Sequence, residues 1–304
     1  MFAAEQISGV CIMKDSFLGY LRFEKNYSER TIVSYGIDLE KFETYFKGVD
    51  EAIDFTSLDA SLIREWIVSL MDLGYSATSV NRKLSTLRSF YRYLLREKHV
   101  LVSPMAKVVG PKKKKPLPVF LKEEEMNRLL DETAYADGFV GCRDRLIIEL
   151  FYATGMRLSE LIGLKDADID FSASLIKVTG KRNKQRLIPF GEELGDSMRS
   201  YLVTRAEMGF DVVGAFLVLG NGKALYAGKV YQLVKRSLSK VVTVKKRSPH
   251  VLRHTFATSM LNNQATLSAV KELLGHQSLS ATEVYTHTTF EELKKVYEQA
   301  HPRA

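Results

Sequence analysis

Four prolines and four consecutive lysines between Pro104 and Pro118 interrupt the hydrophobic pattern of this chain, and that interruption limits its fold more than any other feature. Proline fixes φ, has no N–H to give to a helix or ladder, and pushes the residue before it toward extended backbone. No apolar period crosses the stretch. The chain therefore reads as two bodies joined by an extended, basic linker at 104–118. With 304 residues in all, each body is long enough to bury its own core.

Before the linker the pattern is helical throughout. Tyr35, Leu39, Phe42 and Phe46 recur at three- or four-residue spacing, as do Leu84, Leu87, Tyr91 and Leu94, and these positions are expected in a core. Asp59 is placed to cap a helix carrying Ile63, Trp66, Ile67 and Leu70; Gly74 is placed to end it, and Ser76 to cap the next. Residues 14–103 are expected to form an all-α bundle of four or five helices. After the linker, residues 119–304 predict a mainly α (α+β) domain. Its helices are expected near 122–132, at 143–154 and around Arg157, followed by strands at 175–178 and 186–189 that form a small β-hairpin around the polar stretch 179–185. From Glu192 onward the pattern is again mostly helical, with breaks at 220–222 and 245–248.

The formal net charge of +8 is unevenly placed. Between Thr78 and Pro118 stand Arg82, Lys83, Arg88, Arg92, Arg96, Lys98, Lys107, Lys112, Lys113, Lys114 and Lys115 against one acid, Glu97. A solvated basic face would account for that charge taken alone. Arg88, Arg92 and Arg96 recur every four residues, however, which puts them on one helix face away from the apolar stripe. Together with the lysine run they suggest a groove for a polyanion such as DNA, the linker crossing it as a strap, since neutralising phosphates releases condensed counterions. No apolar run approaches the roughly 20 residues needed to cross a bilayer, and the first residues lack a basic secretory start. A cytoplasmic protein is expected. Cys11 and Cys142 have neither metal-site nor redox-motif spacing and are expected as reduced thiols.

Breaking a phosphodiester needs positive charge on the non-bridging oxygens, a nucleophile, and a proton donor for the leaving oxygen. Arg157 and Arg253 suit the first task, because a guanidinium stays protonated and grips two oxygens at once. Arg253 lies one helical turn beyond His250, on a helix that Ser248 and Pro249 would start, so the two share a face. His250 and His254 have the spacing of a paired zinc site, but the glutamate of the HExxH motif is absent, and His254 is expected to pack structurally. Tyr285 needs nearby cations or a base before its phenol can attack. Arg157, Arg253, His250 and His276 could provide them, and Lys181 in the hairpin turn could protonate the leaving oxygen. Each of these residues, taken singly, has an ordinary surface or packing role.

Their order and spacing resemble the tyrosine recombinase (phage integrase) family, in its XerC/XerD-like branch, over about 14–304. Thr154-Gly155-Met156-Arg157-Leu158-Ser159-Glu160-Leu161 is similar to the family's first arginine motif, with Glu160 as supporting acid. The stretch 179–186 resembles the hairpin-lysine motif, His250-Val251-Leu252-Arg253-His254 the His-x-x-Arg box, and Leu274-Gly275-His276 through Tyr285 the last histidine and the nucleophile. Ser28-Glu29-Arg30-Thr31, Tyr35, Asp38 and Leu39 add to the likeness, as do Val296, Tyr297 and residues 300–304. The resemblance implies a core-binding domain and a catalytic domain clamped around DNA, and a 3′-phosphotyrosyl intermediate at Tyr285. It implies no cofactor, ATP or metal. It also implies a homo- or hetero-tetramer with a second related recombinase, a C-terminal helix at 290–300 that docks on a neighbour, and a response to a division-associated DNA translocase in chromosome or plasmid dimer resolution.

Three other readings of the same residues remain at this stage: an integrase of a mobile element, a type IB topoisomerase-like enzyme, and an architectural DNA-binding protein without activity. Residues 1–13 are an extension outside the resemblance, which makes Met13 or a neighbour a candidate natural start. At 264–266 the branch usually has Gly-Ala-Asp, and this chain has Gln264-Ala265-Thr266. A left-handed backbone at 264 would cost on the order of 1 kcal/mol with glutamine in place of glycine.

Overall fold

A computed structural model describes residues 9–113, 119–133, 135–180, 184–210, 214–241, 247–275 and 287–304. The chain divides into two compact units between Pro116 and Leu117. The first holds α1 (Gly9–Phe23), α2 (Glu29–Val49), α3 (Ala60–Asp72) and α4 (Ala77–Arg96). Ser28, Asp59 and Ser76 cap the last three, each side chain accepting a backbone N–H of the first turn. Their apolar faces enclose an aromatic core in which Phe42 lies 4.6 Å from Trp66 and Phe55 lies 4.9 Å from Phe90, ring centre to ring centre. Such offset and edge contacts add to the area they bury.

One polar knot sits inside this apolar bundle. Asp38 on α2 accepts from Lys83 Nζ at 2.8 Å, from Thr86 at 3.0 Å and from both terminal nitrogens of Arg82 at 2.6 and 2.9 Å. Lys83 is thereby buried, which withdraws it from the DNA-contacting residues expected from sequence. Burying an ammonium is tolerable only against a partner this close.

The basic segment is also more ordered than its prolines suggest. Residues Pro104–Lys107 form a 3-10 turn, and an extended stretch then lies along the bundle. Arg64 donates to the Lys107 carbonyl, Arg88 to that of Val108, and Asn81 to that of Pro111 at 2.8 Å. Gly110 is needed there because a Cβ would stand 2.4 Å from Asn81 Oδ1.

The second unit is built around α6 (Phe139–Thr154), buried on nearly all sides and packed against α8 (Glu192–Glu207) and α10 (Pro249–Asn262). A helix buried all round belongs at a core centre. Preceding it, α5 (Glu123–Asn127) runs on as a π-helical turn at Arg128–Glu132. Following it, α7 (Leu158–Ile162) is short, and Arg157, expected within a helix, is its N-cap. The hairpin appears as β2 (Leu175–Thr179) and β3 (Gln185–Pro189), with Val178 opposite Arg186 and Ile176 opposite Ile188. A third strand, β1 (Ile169–Asp170), pairs antiparallel with β2; at two residues it is too short to show a period. α9 (Ala227–Val241) packs on α6 and α7.

A smaller apolar cluster joins α10, α11 (Leu267–Leu274) and α12 (His287–Ala300) through Phe256, Met260, Leu273, Leu293 and Tyr297. α10 ends in paired bonds, Gln264 N–H to the Leu261 carbonyl and Ala265 N–H to that of Met260. Gln264 accordingly has φ of 68°, the left-handed backbone at which glutamine is costly. Within the single chain, α12 covers its own unit, Leu293, Tyr297 and Ala300 packing in one apolar cluster with α10 and α11.

The tail continues that docking. Arg303 bonds Asp131, Glu193 and Asn127, while His301 stacks on Tyr297 with ring centres 5.2 Å apart. The Arg303 N–H donates to His301 Nδ1, so Nε2 carries the proton and donates to the Tyr152 carbonyl. Burial pushes this imidazole down to about 4 because the charged form is poorly solvated. The second unit should therefore lose stability as pH falls from about 6.5 to about 4: over that window the unfolded chain takes up a proton that the folded core refuses. The loss is at most roughly 3 kcal/mol. Urea unfolding of wild type and His301→Phe checks this, the variant lacking that part of the slope; equal slopes would place the proton uptake elsewhere.

Candidate active site

The carboxylate of Glu160 is fully buried and is the point on which the site converges. Its Oε2 accepts the backbone N–H of Arg157 at 2.7 Å, closing the first turn of α7, while Oε1 accepts Arg157 Nη1 at 2.7 Å. Arg186 approaches from β3 and donates to both oxygens, at 2.7 and 3.0 Å. Burial would raise the Glu160 carboxyl, but the bonds and charge of Arg186 and the two bonds from Arg157 outweigh it and hold the group below its usual range. Glu160 is thus ionised at neutral pH.

Arg253 enters from α10. It donates to the Gly155 carbonyl at 2.5 Å and to that of Leu274 at 2.7 Å. Arg157 donates to the Gly275 carbonyl at 2.9 Å and Arg186 to that of Leu273 at 2.8 Å. Burial, with repulsion from Arg157 and Arg186, lowers the Arg253 guanidinium to about 10, so it stays charged at neutral pH. Three arginines around one carboxylate leave a net double positive charge, which suits a phosphodiester. His250 is exposed in the first turn of α10, one turn before Arg253. His254, expected to pack structurally, is exposed instead, since Val251, Leu252 and Thr255 occupy the buried face of α10.

Lys181, His276 and Tyr285 lie outside the described residues. The residues just before the first two are described: Gly180 N–H bonds the Lys184 carbonyl at 2.8 Å, closing the hairpin beside Glu160, and Gly275 ends α11 in the left-handed region. Of the basic positions, Arg92, Lys112 and Lys113 are exposed, and Arg82 is held by Asp38 and Ser34. Arg88 is committed to Val108. Arg96 lies 3.9 Å over the Tyr20 ring and bonds Glu97. Lys114 and Lys115 lie outside the described residues.

Two features went unread in the sequence. Arg186 and Ile188 share one face of β3 by its two-residue period, and Ile188 is core, so the pattern signals an inward arginine that needs a buried acid. The exposed face of α9 carries Lys235, Arg236 and Lys240 beside Tyr231, opposite Val230, Leu233, Val234 and Leu238.

The phage integrase family matches residues 119–292, and its N-terminal SAM-like domain matches residues 15–98. This chain belongs to the phage integrase family. Among curated relatives, tyrosine recombinase XerC of Chlorobaculum tepidum is 36% identical over 100% of this chain and 98% of the relative. XerC of Staphylococcus saprophyticus is 41% identical over 96% of this chain and 98% of its own. The chain is accordingly a Xer-type site-specific tyrosine recombinase, an enzyme that breaks and rejoins DNA. The fold agrees with the XerH recombinase in its post-cleavage complex on palindromic difH, at a TM-score of 0.71 and 22% identity, over 95% of this chain and 82% of that one. It agrees equally with the Tn1549 transposon integrase bound to transposon right-end DNA, at 0.71 and 18%, over 93% and 98%. Among the described residues no helix is long and apolar enough to cross a membrane.

In this recombinase the arginine grip depends on Gly155. It ends α6 at φ of 58°, and a Cβ there would stand 2.5 Å from Phe256 and 2.8 Å from Leu274. Gly155→Ala should therefore destabilise the second unit by more than the roughly 1–2 kcal/mol of the left-handed backbone alone, displacing the carbonyl that holds Arg253. Thermal unfolding of the variant checks this; a melting temperature equal to wild type would show that the turn relaxes freely.

Proposed function

We propose that this recombinase cuts duplex DNA with Tyr285 and resolves chromosome or plasmid dimers. Arg157 and Arg253 would hold the non-bridging oxygens of the scissile phosphate, with His250 and His276 adding hydrogen bonds. The Tyr285 oxygen attacks phosphorus as its phenol proton passes to His250, the P–O5′ bond breaks, and Lys181 gives its proton to the leaving 5′ oxygen. The resulting 3′-phosphotyrosyl bond conserves the energy of the broken diester. A 5′ hydroxyl of the second duplex then attacks it and releases Tyr285. The observation that carries this reading is the convergence of Arg157 and Arg253 on the end of α11, immediately before His276.

Residues 14–103 act in this reading as the core-binding domain, 104–118 as the basic strap and 119–304 as the catalytic domain. The exposed Arg92, Lys112 and Lys113, the continuing Lys114 and Lys115, and the basic face of α9 would contact DNA. Structures named as recombinases on DNA, including a lambda integrase tetramer on a Holliday junction, support a tetramer with a second copy or a related recombinase. In this reading the recombinase works beside the nucleoid in the bacterial cytoplasm and responds to a division-associated translocase.

A nicked suicide duplex carrying the cognate site should trap a covalent adduct in EDTA, and Tyr285→Phe should abolish it. An adduct at the wild-type level in that variant would remove Tyr285 from the role. Replacing Lys112 to Lys115 by alanine should flatten the slope of log affinity against log salt by about 0.9 for each phosphate that the run no longer neutralises. A slope that does not change would return the run to a solvated hinge.

A further inference from the structure

Three successive carbonyls close α11, and each is taken by a different arginine: Leu273 by Arg186, Leu274 by Arg253 and Gly275 by Arg157. The last carbonyls of a helix lack partners within it and carry its partial negative charge, so they attract and orient cations. Two of these arginines belong to the phosphate grip described above. The third does not face outward: Arg186 is buried, and its three nitrogens go to the Leu273 carbonyl and to both oxygens of Glu160.

We propose that Arg186 is a positioning residue for strand cleavage, setting the arginine grip in register with the hairpin and with the end of α11. The inference rests on the reading of Arg157 and Arg253 as the phosphate grip. Arg186 fixes the carboxylate whose same two oxygens fix the backbone and side chain of Arg157. It does so from β3, five residues beyond Lys181, where Gly180 abuts Glu160 closely enough that a Cβ would lie 3.3 Å from Oε1. Its aliphatic stem and Nη1 also lie against Gly275, where a Cβ would stand 3.2 Å from each, so the end of α11, one residue before His276 in sequence, rests on the Arg186 side chain. One guanidinium thus joins the segments bearing Arg157, Lys181 and His276. Lysine, a single point of charge on a flexible stem, cannot span a carboxylate edge and a carbonyl together.

Arg205 supplies a matched control. It too is a buried arginine that grips a carboxylate with both terminal nitrogens, at 2.9 and 2.6 Å on Asp166, and a backbone carbonyl, that of Phe216, at 2.8 Å. Asp166 and Phe216 lie outside the site.

The test measures duplex affinity and the single-turnover rate of adduct formation at saturating enzyme, separately, for the full-length wild type, Arg186→Lys and Arg205→Lys. Arg186→Lys should bind within about threefold of wild type and cleave at least about 100-fold more slowly, the scale on which a misplacement of about 1 Å acts. Arg205→Lys should cleave near the wild-type rate. Adding Glu160→Gln to Arg186→Lys should slow cleavage no further than the worse single change, because the two act through one contact. Cleavage by Arg186→Lys within threefold of wild type would overturn the proposal. So would a loss no larger than that of Arg205→Lys. If Arg186→Lys does not fold, the paired change Glu160→Gln with Arg186→Met removes the buried charges together and carries the same two expectations. Wild-type adduct formation in the same assay separately tests the underlying reading.

Discussion

The buried carboxylate of Glu160 is the contact on which the catalytic unit depends. A carboxylate removed from water resists ionisation, yet this one stays ionised because Arg186 meets both its oxygens and Arg157 supplies two more bonds. The dependence runs both ways. Without the negative charge, Arg157, Arg186 and Arg253 would face one another across a poorly solvated space, and the Arg253 guanidinium, lowered first by burial, already registers that repulsion as well. Leaving one member of such a set uncompensated typically costs about 3–5 kcal/mol, so site and unit stand or fall together.

Backbone geometry brings the remaining negative potential to the same point. α6 and α11 both end in left-handed glycines, Gly155 and Gly275, and both ends present carbonyls to the arginines. Neither glycine tolerates a side chain: at Gly155 a Cβ collides with Phe256 and Leu274, and at Gly275 it presses on Arg186. Helix ends that would otherwise need water are satisfied by the same guanidinium groups that they orient. Capping and organising the site are therefore one set of bonds, which explains why its residues come from elements far apart in the chain.

Local rules made much of this legible. Caps at Asp59 and Ser76 follow from residue type, the hairpin from its period, and the Arg157 and Arg253 motifs from spacing. What escaped depends on partners distant in sequence. Lys83 reads as one more lysine of a basic helix, and only Asp38, on another helix, makes it a core residue. Arg88 reads as outward-facing until Val108 turns back along α4 to accept from it. His254 follows His250 by four residues and was expected to pack, but the buried stripe of α10 runs through Val251, Leu252 and Thr255 instead. Arg186 was the one such case with a local signal, an arginine sharing a strand face with the core residue Ile188.

The same arrangement recurs at three places among the described residues, which points to a common physical reason. Asp38 holds Lys83, 2% exposed, and Arg82, 49% exposed. Glu160 holds Arg186 at 8% and Arg157 at 33%. Asp144 holds Arg143 at 2% and Arg236 at 67%. In each case the buried cation neutralises the carboxylate, so the outer arginine keeps its charge toward solvent, and Arg82 and Arg157 are also fixed in orientation through both terminal nitrogens. A lone exposed ion pair would give neither result: its charges cancel and its side chains stay mobile. A fixed arginine whose charge is not cancelled has less ordering cost left to meet when an anion binds it. The buried cation of each trio is what makes that combination possible.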